Sequence, residues 1–136
     1  MTTRRRFQGR PARSRVPDRG DVIWINLDPQ AGHEQAGHRP CLVLSPANYN
    51  GAAGRAVMCP ITNEAKGYPF EVRLPPSAKT TGVVLADHIK RLDWRSRGAQ
   101  VKEKLPDSLV REVLDTTLAL LDPATENEQH VGDVTT

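Results

Sequence analysis

Aromatic side chains are scarce, with two each of Trp, Tyr and Phe. That is too few to tile a sheet with stacked bases in the manner of RNA-recognition domains. Cysteine is scarcer still. Cys41 and Cys59 each lie in an apolar run with no CxxC spacing, which argues against a disulfide scaffold or a thiolate zinc site and leaves two buried, reduced thiols as the expectation. A bridge between them requires Cα atoms within about 7 Å, which a sequence does not show. Apolar runs are short and broken by charge, so none approaches the ~20 residues needed to span a bilayer. The Arg-rich start lacks the apolar segment of a signal peptide, and a cytoplasmic protein away from membranes is expected.

The charge that is present is unevenly placed. Seven of the 19 Lys and Arg residues fall in the first twenty positions against one acid, Asp18, whereas positions 122–136 hold four acids and no Lys or Arg. Both ends are polar and poor in large apolar residues. Positions 1–15 are expected to be a disordered basic tail, 16–122 the folded domain and 123–136 a disordered acidic tail. The basic arm can add salt-dependent, sequence-blind attraction to nucleic acid, or serve only as a solvated tail.

Within the body, DVIWINL (21–27), CLVLS (41–45), RAVMCPIT (55–62), FEVRL (70–74), TGVVLAD (81–87) and HIKRLDW (88–94) are Val-, Ile- and Leu-rich segments separated by turn residues. They read as short strands. Their close spacing leaves no room for crossover helices, which predicts an antiparallel sheet curled into a small barrel. Leu109, Val110, Val113, Leu114, Thr117, Leu118 and Leu121 recur at steps of three and four and predict a C-terminal amphipathic helix. Its Leu face is expected to pack on the barrel, in preference to a second subunit. Pro106, Asp107 and Ser108 suit its first turn, and Pro123 suits its end.

The segment GHEQAGHRP (32–40) concentrates His33, Glu34, Gln35, His38 and Arg39. Zinc binding of the HExxH kind is disfavoured, because its two histidines stand at i and i+5. On a helix that spacing turns the rings about 140° apart, and the flanking glycines oppose a helix. A binding loop between the first two strands fits better. Arg39, before Pro40, is expected to be extended at the barrel rim, where its guanidinium can fork onto a phosphate or join a surface ion pair. Thr62 closes the third strand, where its hydroxyl can donate to an oxyanion or serve only as a β-former. Trp24 can stack a base, although its apolar run favours the core. Tyr68 and Phe70 are open to both readings, and Lys66 is either a phosphate contact or a solvated loop lysine.

The order GDVIW, DP, GHEQAGHRP, LVLSPANYN, PIT, KGYPFEV and GVVLADHIKRLDWRSRG, followed by the amphipathic helix, resembles the MazF/PemK family of toxin endoribonucleases, especially its MazF branch. The likeness runs from about Val16 to Leu121. It implies a mainly β fold with a C-terminal helix, an SH3-like barrel shared with CcdB-type toxins. It also implies a homodimer, a single-stranded RNA substrate cut at short sequences, no metal or other cofactor, and a MazE-like antitoxin partner. The family's catalytic Arg and Thr fall on Arg39 and Thr62, its RNA-binding Glu and Gln fall on Glu34 and Gln35, and the polar residue lining the groove falls on His88. Many relatives carry Ser at the position of His33 and Gln at that of His88, so base preference and pH response can differ here.

The chemistry agrees in kind. Metal-free RNA cleavage deprotonates the ribose 2′-hydroxyl, stabilises charge on an in-line phosphate and protonates the departing 5′-oxygen, leaving a 2′,3′-cyclic phosphate. Arg39 and Thr62 suit the charge. Arginine holds its proton too firmly to act readily as a base, so Glu34 and His38 are candidates for proton transfer or orientation, or are RNA contacts. Trp24, His33, Gln35, Lys66 and His88 complete the candidate RNA-binding set. A non-catalytic CcdB-like barrel that poisons a protein and a plain RNA-binding module are the rival expectations.

Overall fold

In the segment Asp21–Asn26 both faces of the strand are buried, and only Trp24 is exposed. Successive side chains of a strand point to opposite faces, so this one segment feeds two hydrophobic cores. A computed structural model of the chain describes residues 15–28 and 37–122. Its elements are β1 (Asp21–Asn26), β2 (His38–Val43), α1 (Ala47–Ala53), β3 (Ala56–Thr62), β4 (Glu71–Arg73), β5 (Val83–Leu85), β6 (Lys90–Leu92), β7 (Gln100–Lys104) and α2 (Asp107–Leu121). The expected terminal tails fall outside the described residues, apart from position 15, and so does the loop carrying His33, Glu34 and Gln35.

All strand pairings are antiparallel, in the order β4-β5-β3-β2-β1-β7, with β6 pairing β3 beside β5. The fold is therefore mainly β with a C-terminal helix, as expected. Among the described residues no ladder joins β4 to β7, so backbone pairing there does not close the curled sheet. A side chain bridges the seam instead. The Glu103 carboxylate on β7 accepts hydrogen bonds from the Lys79 and Thr80 amides and the Thr80 hydroxyl, beyond β4, at 3.1, 2.7 and 2.6 Å.

One core packs Val22, Leu42, Cys59 and Ile61 against Leu109 and Val113 of α2. The other packs Ile23, Ile25, Cys41, Val43 and Met58 against Trp94 and Ala99. Each large aliphatic side chain so buried contributes about 1.5–3 kcal/mol. The helix is also docked by a hydrogen bond from the Thr117 hydroxyl to the Ala86 carbonyl at 2.9 Å. Its apolar stripe is covered only in part, because Leu118 and Leu121 remain exposed.

Cys41 pairs with Pro60 and Cys59 with Leu42, so the two thiols are out of phase on adjacent strands and enter different cores. Both are free. Burial, then the Cys59 sulfur and against the pull of Lys90, pushes the Cys41 thiol up to about 12; burial, then the charge of Asp87, does the same for Cys59. Neither is a nucleophile at neutral pH.

Three expectations need correction. The second strand begins at His38 and ends at Val43 rather than spanning 41–45, because β1 extends its ladder to the Asn26 and His38 pair. The sixth is confined to Lys90–Leu92, leaving His88 in the preceding turn. Trp24 is not a core residue: it lies on the solvated end of its face, 39% exposed. The sequence reading also omitted β7 and α1 altogether. No described helix is long and apolar enough to cross a membrane.

Candidate active site

β2 and β3 pair with Cys41 opposite Pro60, Leu42 opposite Cys59 and Val43 opposite Met58. Continued by two residues, the same register sets Arg39 opposite Thr62. Residues directly opposite in an antiparallel pair share a face, here the face bearing Cys41, Val43 and Met58. Arg39 is exposed at the lip. Its Nη1 donates only to the His38 carbonyl at 3.1 Å, and among the described residues it has no carboxylate partner. The guanidinium thus retains most of its donors for an incoming anion.

Thr62 sits at the end of β3, partly buried, and its Oγ1 accepts the Glu64 amide at 3.1 Å. The hydroxyl proton is free to be donated elsewhere. The first residues of GVVLAD serve this position. Gly82, at φ +113°, lies so close to the Thr62 carbonyl that a Cβ there would overlap it. Val83 then pairs with Thr62. Only glycine meets both the conformation and the approach.

Thr62 also opens into a cleft of about 410 Å³ that includes Lys66, Tyr68, Phe70, Asp87 and His88. Three residues singled out from sequence, Thr62, Lys66 and His88, are therefore brought together, with Arg39 on the same face across the β2–β3 pair. His88 is half exposed, and its Nε2 lies 3.7 Å from the Asp87 carboxylate, an ion pair only when the ring is protonated. The Lys66 loop is anchored by Glu71, whose carboxylate accepts the Lys66 amide at 3.1 Å and the Gly67 amide at 3.0 Å.

Strand alternation turns His38 and Trp24 to the other face, where their ring centroids lie 6.1 Å apart. His38 Nδ1 is buried and has no hydrogen-bond partner among the described residues. The candidate proton carrier His38 is thus directed away from Arg39 and Thr62.

Arg97 was not singled out from sequence, yet it holds the base of the β1–β2 connection. Its Nη1 donates to the carbonyls of Asn26 and Asp28 at 3.1 and 2.8 Å, and its own carbonyl accepts the Asn26 amide at 3.2 Å. The Leu27 amide donates to the Gly37 carbonyl at 2.9 Å. Gly37 is wedged so that a Cβ would overlap the Asn26 and Asp28 side chains. The turn presenting Arg97 is fixed by Asp93, whose carboxylate takes the Ser96 and Arg95 amides at 3.0 and 3.1 Å. The Ser96 amide foremost, outweighing burial, holds that carboxyl below its ordinary value. No short motif advertises such contacts, since residues about 70 positions apart make them.

Residues 18–121 match the model of the PemK-like, MazF-like toxins of type II toxin–antitoxin systems. The chain belongs to this family. Over 87 residues, 64% of this chain and 78% of the relative, it is 53% identical to the endoribonuclease toxin MazF of Escherichia coli K12. The crystal structure of MazF (Form-I) from Deinococcus radiodurans superposes with a TM-score of 0.73 at 54% identity, covering 79% of this chain and 98% of that one. MazF in a MazE-MazF structure (Form-II) from the same organism superposes with a TM-score of 0.72 at 47% identity, covering 80% and 98%.

Proposed function

We propose that the protein is the toxin of a type II toxin–antitoxin pair, a sequence-specific endoribonuclease that cuts single-stranded RNA in the cytoplasm without a metal ion. The observation that carries the chemistry is the register that sets Arg39 opposite Thr62 on one face at the sheet's lip. Family membership and relatives named endoribonucleases support the same reading.

In this reading Arg39 spans two oxygens of the scissile phosphate and neutralises the charge that grows as the 2′-hydroxyl attacks. The Thr62 hydroxyl donates to the same group. The phosphorus to 5′-oxygen bond breaks, leaving a 2′,3′-cyclic phosphate and a 5′-hydroxyl. Glu34 is the remaining candidate for proton transfer, because His38 faces away. His33, Gln35, Lys66 and His88 bind the strand, and Trp24 borders the rim from the other face. The working form is a homodimer restrained by a MazE-like antitoxin, whose acidic segment competes with RNA for the same rim. The Deinococcus MazE-MazF structures support that partner.

The test is to incubate purified protein with defined RNA in excess EDTA and map the ends. Cutting at a recurrent short sequence, with cyclic-phosphate and 5′-hydroxyl termini and loss of cutting in Arg39→Ala, is expected. Cleavage abolished by chelation, or undiminished in Arg39→Ala, refutes the proposal.

A further inference from the structure

The cleft that Thr62 lines carries more aromatic surface than phosphate chemistry needs. Tyr68 is 51% exposed in a chain with only six aromatic residues. Its ring lies 5.3 Å from that of Phe70 at an interplanar angle of 31°, so one ring braces the other while both border the cleft. Exposed aromatic surface in a concave site marks a place where an apolar partner settles.

The platform is also built in advance. Lys66 and Gly67 are tied by their amides to the Glu71 carboxylate, and the Glu71 amide returns to the Tyr68 carbonyl at 3.1 Å. The turn is therefore closed on itself at both ends, and ligand binding need not pay to order it. The cleft volume of about 410 Å³ lies within the usual range for small-ligand sites. Lys66 supplies a cation for a backbone phosphate beside the rings.

We propose that this cleft is a nucleobase subsite, with Tyr68 as the stacking platform for the base of a nucleotide next to the scissile bond and Glu71 as the residue that positions it. The inference rests on the endoribonuclease reading and adds to it a discrete base-binding position. Because every base has a π-face, Tyr68 supplies affinity at that position, and edge contacts elsewhere in the cleft supply selectivity.

The test uses a single-stranded oligonucleotide carrying the mapped cut sequence, made uncleavable by a 2′-deoxy sugar at the cut. One base at a time is removed as an abasic site, and binding is measured by fluorescence anisotropy. In the wild type, loss of one base adjacent to the cut should weaken binding on the order of tenfold. Tyr68→Leu should weaken the intact oligonucleotide by a similar factor and erase the penalty at that position alone, whereas Tyr68→Phe should restore it. A second measurement needs no variant: 5-iodouridine at the same position should photocrosslink to Tyr68.

Equal abasic penalties in wild type and Tyr68→Leu, with matching thermal melts, overturn the subsite and leave the nuclease intact. So does a crosslink that forms only elsewhere. A wild-type protein that cuts no RNA overturns the nuclease reading and this subsite with it.

Discussion

Arg97 offers the sharpest separation between holding the fold and placing the chemistry. Replacing it with alanine strips the Asn26 and Asp28 carbonyls of a charged donor at 3.1 and 2.8 Å. Hydrogen bonds to charged groups contribute about 1.5–3 kcal/mol each. Arg97 is partly exposed, so water recovers some of the loss, and about 2 kcal/mol in total is expected. For a domain of this size that lowers Tm by roughly 10 °C. The second effect is local. The freed carbonyls lie at the end of β1, and Arg39 stands opposite Ile25 and two residues beyond Gly37, so relaxation of this stem displaces the guanidinium. A shift of about 1 Å in a group that must meet a phosphate in line costs about 100-fold in rate. Calorimetry and single-turnover cleavage at a temperature well below both melts read the two effects independently. Arg97→Lys, which can keep one of the two bonds, should fall between the extremes in both. An Arg97→Ala protein that melts low but cuts at the wild-type rate while folded would refute the positioning role. One that also melts like the wild type would refute the clip itself.

Other outcomes follow from the same geometry. Arg39→Ala and Thr62→Val should each lower the single-turnover rate on the order of 10²-fold or more, and the double variant should lose less than the product of the two, because both donors serve one phosphate; strictly multiplicative losses would show that they act on different groups. Gly82→Ala forces a side chain into the Thr62 carbonyl at a positive φ, so a destabilisation of about 2 kcal/mol or more in urea is expected together with slower cleavage, and a neutral result would disprove the close approach. Burial opposes the charge on Glu103, but the Thr80 hydroxyl and the Lys79 and Thr80 amides prevail and hold its carboxyl below its ordinary value. A carboxyl held low in the folded state stabilises the protein above the ordinary glutamate range, and that stability is lost as pH falls below it; Glu103→Gln should therefore melt lower at neutral pH, with the difference shrinking as the solution is acidified below the ordinary glutamate range, and a constant difference would show that no titration is involved.

Which parts of this molecule could be read from its sequence depends on what holds each part. β1, β3 and α2 are held by their own apolar residues, and short Val-, Ile- and Leu-rich runs between turn residues marked the strands as period-3.6 spacing marked the helix. β7 is not. In QVKEK the strand alternates polar and half-buried positions at the sheet margin, where lysines on an edge strand discourage further pairing, so its composition does not read as a strand. α1 was invisible for the opposite reason. ANYNGAA is short, sets two Asn, a Tyr and a Gly among its alanines, and has a proline N-cap without a side-chain bond. The segment is secured by tertiary contacts of the buried Asn50, whose amide reaches the Pro17 and Ser45 carbonyls and whose own carbonyl takes the Trp94 indole. Trp24 misled because an apolar run does not say where along a face the core ends.

The opposition of Arg39 and Thr62 was legible only through the resemblance of RP and PIT to a known family, since neither motif states a register. Physically, that register is chosen elsewhere. Met58 and Cys59 enter different cores, as do Cys41 and Leu42. Sliding β3 by one residue against β2 would set Arg39 opposite a neighbour of Thr62, whose side chain points the other way, unless β3 also turned over. Turning it over would place that neighbour, and not Thr62, on the face of Arg39, and would exchange Met58 and Cys59 between cores of different shape. Arg39 and Thr62 can remain polar, half-solvated and poorly packed because the apolar residues at the other end of the same two strands already exclude the one-residue slips that would turn them to opposite faces.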